Sequence, residues 1–270
     1  MIRLLPAVIV CLTISISFSV AAQLNTKIYW EDDFAAAEKE KLATWLNGVS
    51  EAVADELGSY PFPVNLYLHL SDRGGEPVPW AHTVRHGEQG VHFYVNPEYP
   101  LEAFQQDWTA PHELSHLSLP FLGREKMWFA EGYASFMQWY LLEKQGVLDS
   151  AVVHQKYRDR IDRAMLRLES DKPFPELCEE LLQRHDYPSI YWGGACYFFQ
   201  VNQQLKAEHE TDLFAVIRIY QTRGRMKDKT LEELVQSLDR ISGSSIFTDH
   251  LKVFIEQPAS TVFKFTPTRM

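Results

Sequence analysis

One short segment concentrates the side chains that can do chemistry: Trp108-Thr-Ala-Pro-His-Glu-Leu-Ser-His-Leu117. His112 and His116 stand four positions apart. On a helix, i and i+4 share a face, so both imidazoles can reach one Zn²⁺ ion. Glu113 lies about 100° round the helix from His112, where its carboxylate can meet a water on that metal without binding the metal itself. A catalytic zinc site takes three protein ligands and keeps one position open. Glu131 is the candidate third ligand. Pro120 and Gly123 break the first helix and a second begins near Lys126, so an antiparallel helix pair can carry Glu131 across to the histidines. Its surroundings, Met127-Trp-Phe-Ala-Glu-Gly-Tyr-Ala-Ser-Phe136, are otherwise apolar and aromatic, and an unpaired carboxylate there would be costly. Ser135, one turn beyond Glu131 on the same face, is a candidate hydrogen-bond partner for a metal ligand. Asp107 or Thr109 can cap the first helix, and Pro111 fits a first turn.

Two kinds of element must position these groups. Residues 23–100 read as an α/β lobe. Strands are expected at 27–30, at 64–70 (VNLYLHL) and in a hairpin of 80–85 and 91–96, with a helix over 34–57 ending at Gly58. In VHFYVN, Val91, Phe93 and Val95 should face the core and His92, Tyr94 and Asn96 the other way. The segment Val91 to Asn96 is expected to form the exposed sheet edge to which an extended peptide could add. Residues 101–270 read as a helical lobe, with helices over 101–119, 127–145, 150–169, 175–185, 190–208, 212–222, 231–241 and 246–255. The fold class is α+β: a small mixed β-sheet lobe packed on a mainly helical lobe.

Composition narrows the function classes. The chain has 270 residues, 36 Asp and Glu against 26 Lys and Arg, and a net charge of −10. That balance argues against a nucleic-acid partner, which needs a basic face. Three cysteines are too few for a disulfide scaffold or a four-thiolate zinc site. Residues 1–22 carry one charge, Arg3, then an apolar run and Val20-Ala21-Ala22 before Gln23. This is the layout of a secretory signal peptide, which predicts a periplasmic or secreted protein with no stable membrane insertion after cleavage. Residues 23–270 then form one catalytic unit. In an oxidising compartment Cys178 and Cys196 either pair or stay as buried thiols.

The combination His112-Glu-x-x-His116 with Trp128-Phe-Ala-Glu131-Gly-Tyr-Ala-Ser135 resembles the gluzincin metallopeptidases. The aminopeptidase N-like and glycyl-aminopeptidase-like families are the nearest groups. Tyr191-Trp-Gly-Gly194-Ala195 is similar to their Y-x-K-G-A segment, with Gly193 in place of the lysine, and residues 231–258 are similar to the helices closing their catalytic domain. The resemblance covers roughly residue 88 onward. It implies a zincin-like fold, Zn²⁺ on His112, His116 and Glu131, Glu113 as general base, and Tyr191 as the donor to the oxyanion. His185, His82 and His86 are rival donors. The G-x-M-E-N segment whose glutamate holds a free α-amine in those aminopeptidases has no counterpart here, its place being taken by Gly90 to Asn96, which favours an endopeptidase or an unusual exopeptidase. The expected activity is zinc-dependent hydrolysis of peptide or protein substrates. The alternatives are an inactive binding module on the same fold and a zinc hydrolase of a non-peptide bond.

Overall fold

The computed structural model of the protein describes residues 24–85, 87–223 and 227–263. The signal-peptide reading of 1–22, His86 and the centre of the basic loop 223–229 lie outside the described residues. Strand β1 (Thr26–Trp30) leads to helix α1 (Ala36–Leu57), then β2 (Val64–Leu70), β3 (Trp80–Val84) and β4 (Gln89–Val95). The sheet order is β1-β2-β4-β3. β1, β2 and β4 run parallel, and β3 pairs antiparallel with β4. Alternation explains the two faces. Leu66, Leu68, Val91, Phe93 and Val95 are fully buried beneath α1, whose Trp45 meets Phe93 edge-on at 5.5 Å. α1 ends as expected, at Gly58 with φ 86°, where a side chain would be strained.

One expectation fails here. β4 is not an edge, because it lies between β2 and β3 with a partner on each side. The open edge beside the helical lobe is β3. The hairpin was legible from its alternating residues, but which of its strands sits inside depends on where β2 docks, a non-local choice.

The outer face carries a ladder of rings. Tyr67 stacks on His92 at 4.4 Å, His69 on Tyr94 at 4.5 Å, His82 on His92 at 5.0 Å and Trp80 on His82 at 4.6 Å. His69 Nε2 and His92 Nδ1 are 2.8 Å apart. Burial, then the imidazole of His69, lowers the pKa of His82. For His92, burial and then His82 and His69 do the same, partly opposed by Glu31.

The helical lobe comprises α2 (Leu101–Gln106), α3 (Thr109–His116), α4 (Met127–Lys144), α5 (Ser150–Met165), α6 (Phe174–Gln183), α7 (Tyr187–Glu208), α8 (Leu213–Arg223), α9 (Leu231–Ser242), α10 (Ile246–Glu256) and the short α11 (Ala259–Val262). The expected single helix over 101–119 is two helices. Asp107 is extended (ψ 133°), and its carboxylate accepts from Thr109 N at 2.8 Å. This local turn competes with helix continuation and starts α3 afresh. α7 begins a turn earlier than expected, with the Asp186 side chain accepting from Ser189 Oγ at 2.9 Å. Cys178 and Cys196 are buried free thiols, so the pairing considered for them is absent. Burial pushes Cys196 up to about 12. Among the described residues no helix is long and apolar enough to cross a membrane.

α4 and α7 form the centre of the lobe and meet backbone to backbone. A Cβ on Gly132 would lie 2.3 Å from Gly194 C, and one on Gly194 only 1.9 Å from Trp128 O. Glycine inside a helix costs about 1 kcal/mol relative to alanine; here close approach requires it. On the next position, a Cβ at Gly193 would strike the Phe174 ring at 2.5 Å, so no lysine fits there without displacing α6.

Two outcomes follow. Gly194→Ala should destabilise the protein by about 3 kcal/mol or more, since backbone must move. Gly48→Ala, with only Gln145 Nε2 nearby at 3.8 Å, should stabilise α1 by about 0.5–1 kcal/mol; urea unfolding of both variants checks the contrast. For the imidazole ladder the sign is fixed by depressed pKa values. The unfolded chain takes up protons first as pH falls through the ordinary value of 6.5, so this contribution is intact above that pH and is lost below it. The Tm should drop between about pH 7.5 and pH 5.5, and the drop should shrink in a His82→Gln, His92→Gln double variant.

Candidate metal centre

α3 and α4 bring His112, His116 and Glu131 together. Their ligand atoms all lie within 4.8 Å of one another. His112 Nε2 is 3.2 Å and His116 Nε2 3.6 Å from Glu131 Oε2. Both histidines are buried, at 3% and 8% exposure. α3 is short because Leu117 to Gly123 turns away. α4 resumes after one 3₁₀ turn, Arg124–Lys126, and returns Glu131 to the histidine face. Two imidazole nitrogens and one carboxylate oxygen form the donor set that suits Zn²⁺, so the residues present fit the ion.

The partner of His112 Nδ1 is Gln138, whose Oε1 lies 3.0 Å away, and not Ser135. With Nδ1–H donating to that carbonyl, the Nε2 lone pair faces the cluster. Gln138 is seven residues beyond Glu131, two helical turns along the same face. That spacing, on an otherwise apolar helix, was the available signal and went unread. The Trp108 ring meets His112 edge-on at 5.3 Å.

Glu113 sits beside the cluster, and burial raises its pKa, with His116 and His112 opposing only in part. For Glu131 burial also pushes upward, but the charges and hydrogen bonds of His116 and His112 win and hold it well below the usual carboxylate range. Burial alone would lower His112; the Glu131 carboxylate more than offsets it, so its pKa is raised.

These groups line a cavity of about 390 Å³ together with Trp80, His82, Arg85, Phe121 and Tyr191. The Tyr191 ring is 6.5 Å from that of His112. Its hydroxyl is pushed far up, first by burial and then by the Glu131 and Glu113 carboxylates, so it remains a proton donor. Of the rival donors, His82 lines the cavity from β3 but its ring is stacked between Trp80 and His92. His185 lines a different groove, beyond the start of α7.

Arg85 is a positioning residue that the sequence reading passed over. Leaving β3, it donates Nη1–H to the Leu119 carbonyl at 2.7 Å and Nη2–H to the His116 carbonyl. It thus satisfies carbonyls at the C-terminal end of α3 and ties the sheet edge to the histidine helix.

The fold is similar to part of that of the M1 zinc metallopeptidases. The chain aligns over 86% of its length with an M1 zinc metallopeptidase from Deinococcus radiodurans (TM-score 0.51, 15% identity). It aligns over the same share with a mutant M1 enzyme from that organism bound to a Tyr-Ser-Ala substrate (TM-score 0.51, 16% identity). A two-domain M1 zinc metallopeptidase mutant bound to L-arginine matches at the same TM-score and 15% identity. The chain spans 48% of the length of each. At these identities the likeness is one of fold. No family model matches the sequence, and no curated protein matches it.

Arg85→Met should remove two charge-assisted hydrogen bonds from buried carbonyls and lower stability by about 1–3 kcal/mol, read as a lowered midpoint in urea with an unchanged slope.

Proposed function

We propose that the chain is an exported zinc-dependent peptidase, with His112, His116 and Glu131 as metal ligands, Glu113 as general base and Tyr191 as the donor to the oxyanion. The observation that carries this reading is the convergence of three ligand atoms within 4.8 Å in a cavity whose wall includes the open strand β3. Export rests on the layout of residues 1–22, with cleavage before Gln23.

When bound, Zn²⁺ supplies a Lewis acid that polarises a carbonyl and acidifies a water molecule. Glu113 takes the proton of the attacking water and delivers it to the leaving amine. Its raised pKa suits a group that must hold a proton and release it. The Tyr191 hydroxyl donates to the charge developing on the carbonyl oxygen. Gln138 keeps His112 oriented. The unpaired backbone groups of Trp80–Val84 accept an extended substrate as an added strand.

The same cavity favours an endopeptidase. Among the described residues three glutamates line it, Glu76, Glu113 and Glu131. Two are committed to the chemistry, and Glu76 stands on an exposed loop. Among the described residues that line the cavity, no third buried carboxylate is left to fix a free α-amine.

Metal analysis should find one zinc per chain. Glu113→Gln should retain that zinc and lose about 10²–10⁴-fold in kcat/KM. Peptides with free and blocked N-termini should be cleaved at the same internal bonds. A zinc-loaded protein that cleaves no member of a diverse peptide library overturns the peptidase reading. Cleavage abolished by N-terminal blocking overturns the endopeptidase assignment alone.

A further inference from the structure

On the far side of the first turns of α7 lies a second groove, of about 680 Å³. Its walls carry Arg160 and Arg163 from α5, Arg167 from the turn that follows it, Arg184 and His185 from the end of α6, and Asp186 from the cap of α7. Arg160 and Arg163 lie at i and i+3 on one face of α5, Arg167 follows in the turn that ends the helix, and all three are exposed. Among the described residues no carboxylate comes within 4.0 Å of any of these three guanidinium groups. Arg184 approaches Glu180 only at 3.8 Å, and Glu180 is already paired with Lys172. Asp186 is occupied by Ser189. Like charges at i and i+3, as Arg160 and Arg163 are, oppose one another on a helix, with Asp159 and Asp162 on the same helix as counter-charges. In a chain of net charge −10 this is a local concentration of the opposite sign.

The groove and the metal cavity lie on either side of the first turns of α7. Tyr191 lines the cavity, while Asp186, Pro188, Ser189 and Trp192 line the groove, so one helical segment is the wall of both. Tyr187, 41% exposed, stands at the crest. Its ring lies 6.5 Å from Tyr191 on one side and 6.2 Å from His185 on the other. Those two spacings put the His185 ring, on the groove wall, at most about 13 Å from the Tyr191 ring, a span that about four residues of extended chain cover at about 3.3 Å each.

We infer that this groove is an exosite for an acidic segment of the peptide substrate, engaged by Arg160, Arg163 and Arg167. Planar guanidinium groups bind carboxylates through paired N–H donors, and these three, exposed to solvent, are open to such a ligand. The inference rests on the peptidase reading for the word substrate. Recognition of an acidic chain does not depend on that reading.

The test uses the full chain loaded with Zn²⁺ and fluorescein-labelled peptides that share a neutral core. One set carries four Asp or Glu residues, the other four Gln or Ser residues, at either end. At low salt the acidic peptides should bind about tenfold more tightly, and the preference should fade as salt screens it. It should vanish in the triple variant Arg160→Gln, Arg163→Gln, Arg167→Gln, with neutral peptides bound as before and a thermal midpoint no lower than that of the parent. Arg163→Gln alone should give a partial loss of about twofold, which keeps the test decisive should the triple variant melt early. Equal binding of acidic and neutral peptides overturns the inference, as does a preference that survives in the variants. Arginine-dependent binding to vesicles containing phosphatidylglycerol, without discrimination between the peptides, overturns it in favour of a lipid surface. Tight binding of acidic peptides with no cleavage of any peptide removes the peptidase function and leaves the acidic-chain site standing.

Discussion

The contact on which the rest depends is the crossing of α4 and α7 at Gly132 and Gly194. Two helices that touch through backbone atoms have one permitted separation, because neither has a side chain that can adjust. Glu131 is the residue before Gly132, and Tyr191 lies one turn before Gly194. The crossing therefore fixes, within the same few ångströms, the carboxylate that faces the histidines and the hydroxyl that overlooks them. A wider crossing built on alanine would shift both groups together. That coupling is why the glycines sit deep in helices that would be more stable without them. The Phe174 ring against Gly193 closes the opposite side and leaves α7 no room to slide.

The electrostatics of the cluster then follow from packing. Glu131 sits where burial raises the energy of its charge, yet its carboxyl is held ionised because two imidazoles face it. Glu113, one position from His112, is the counter-case. It feels the same burial with weaker compensation, and its pKa rises. Two glutamates in one cavity are thus driven apart in basicity, because Glu131 is hydrogen-bonded to both rings and Glu113 feels only their charges. This separation is what a site needs if one carboxylate is to stay fixed and the other to exchange protons.

The local half of this arrangement was legible in the sequence. The four-residue spacing of His112 and His116, the helix break at Pro120 and Gly123, and a lone glutamate in an aromatic helix are short-range patterns, and each imposes its geometry within a turn or two. What stayed hidden was set at long range. The family resemblance puts 91–96 at the sheet edge, and only the docking of β2 against β4 moves that edge to β3. Gln138 looks like an ordinary polar residue until α3 is placed across from it. Arg85 reads as the end of a strand until the carbonyls of His116 and Leu119 turn towards it. The split of the 101–119 helix had a local cause, the Asp107 side chain, but a capping aspartate and a mid-helix aspartate look alike until the backbone declares itself extended.

The position of β3 also explains how an open strand edge is tolerated. Unpaired edges invite association with other chains, and proteins commonly shorten or cover them. β3 is only five residues long. Its outward rings are locked into the ladder with His92 and Tyr94, and Arg85 anchors its end to α3. The strand is consequently stiff, and its free side is turned toward the cavity wall formed by α3 and the 117–126 loop. An edge so confined can accept a single extended chain but leaves little room for a second sheet. The feature that would be a hazard on an open surface becomes, in this setting, a directional constraint: a chain that pairs with β3 must run alongside the cluster of His112, His116 and Glu131.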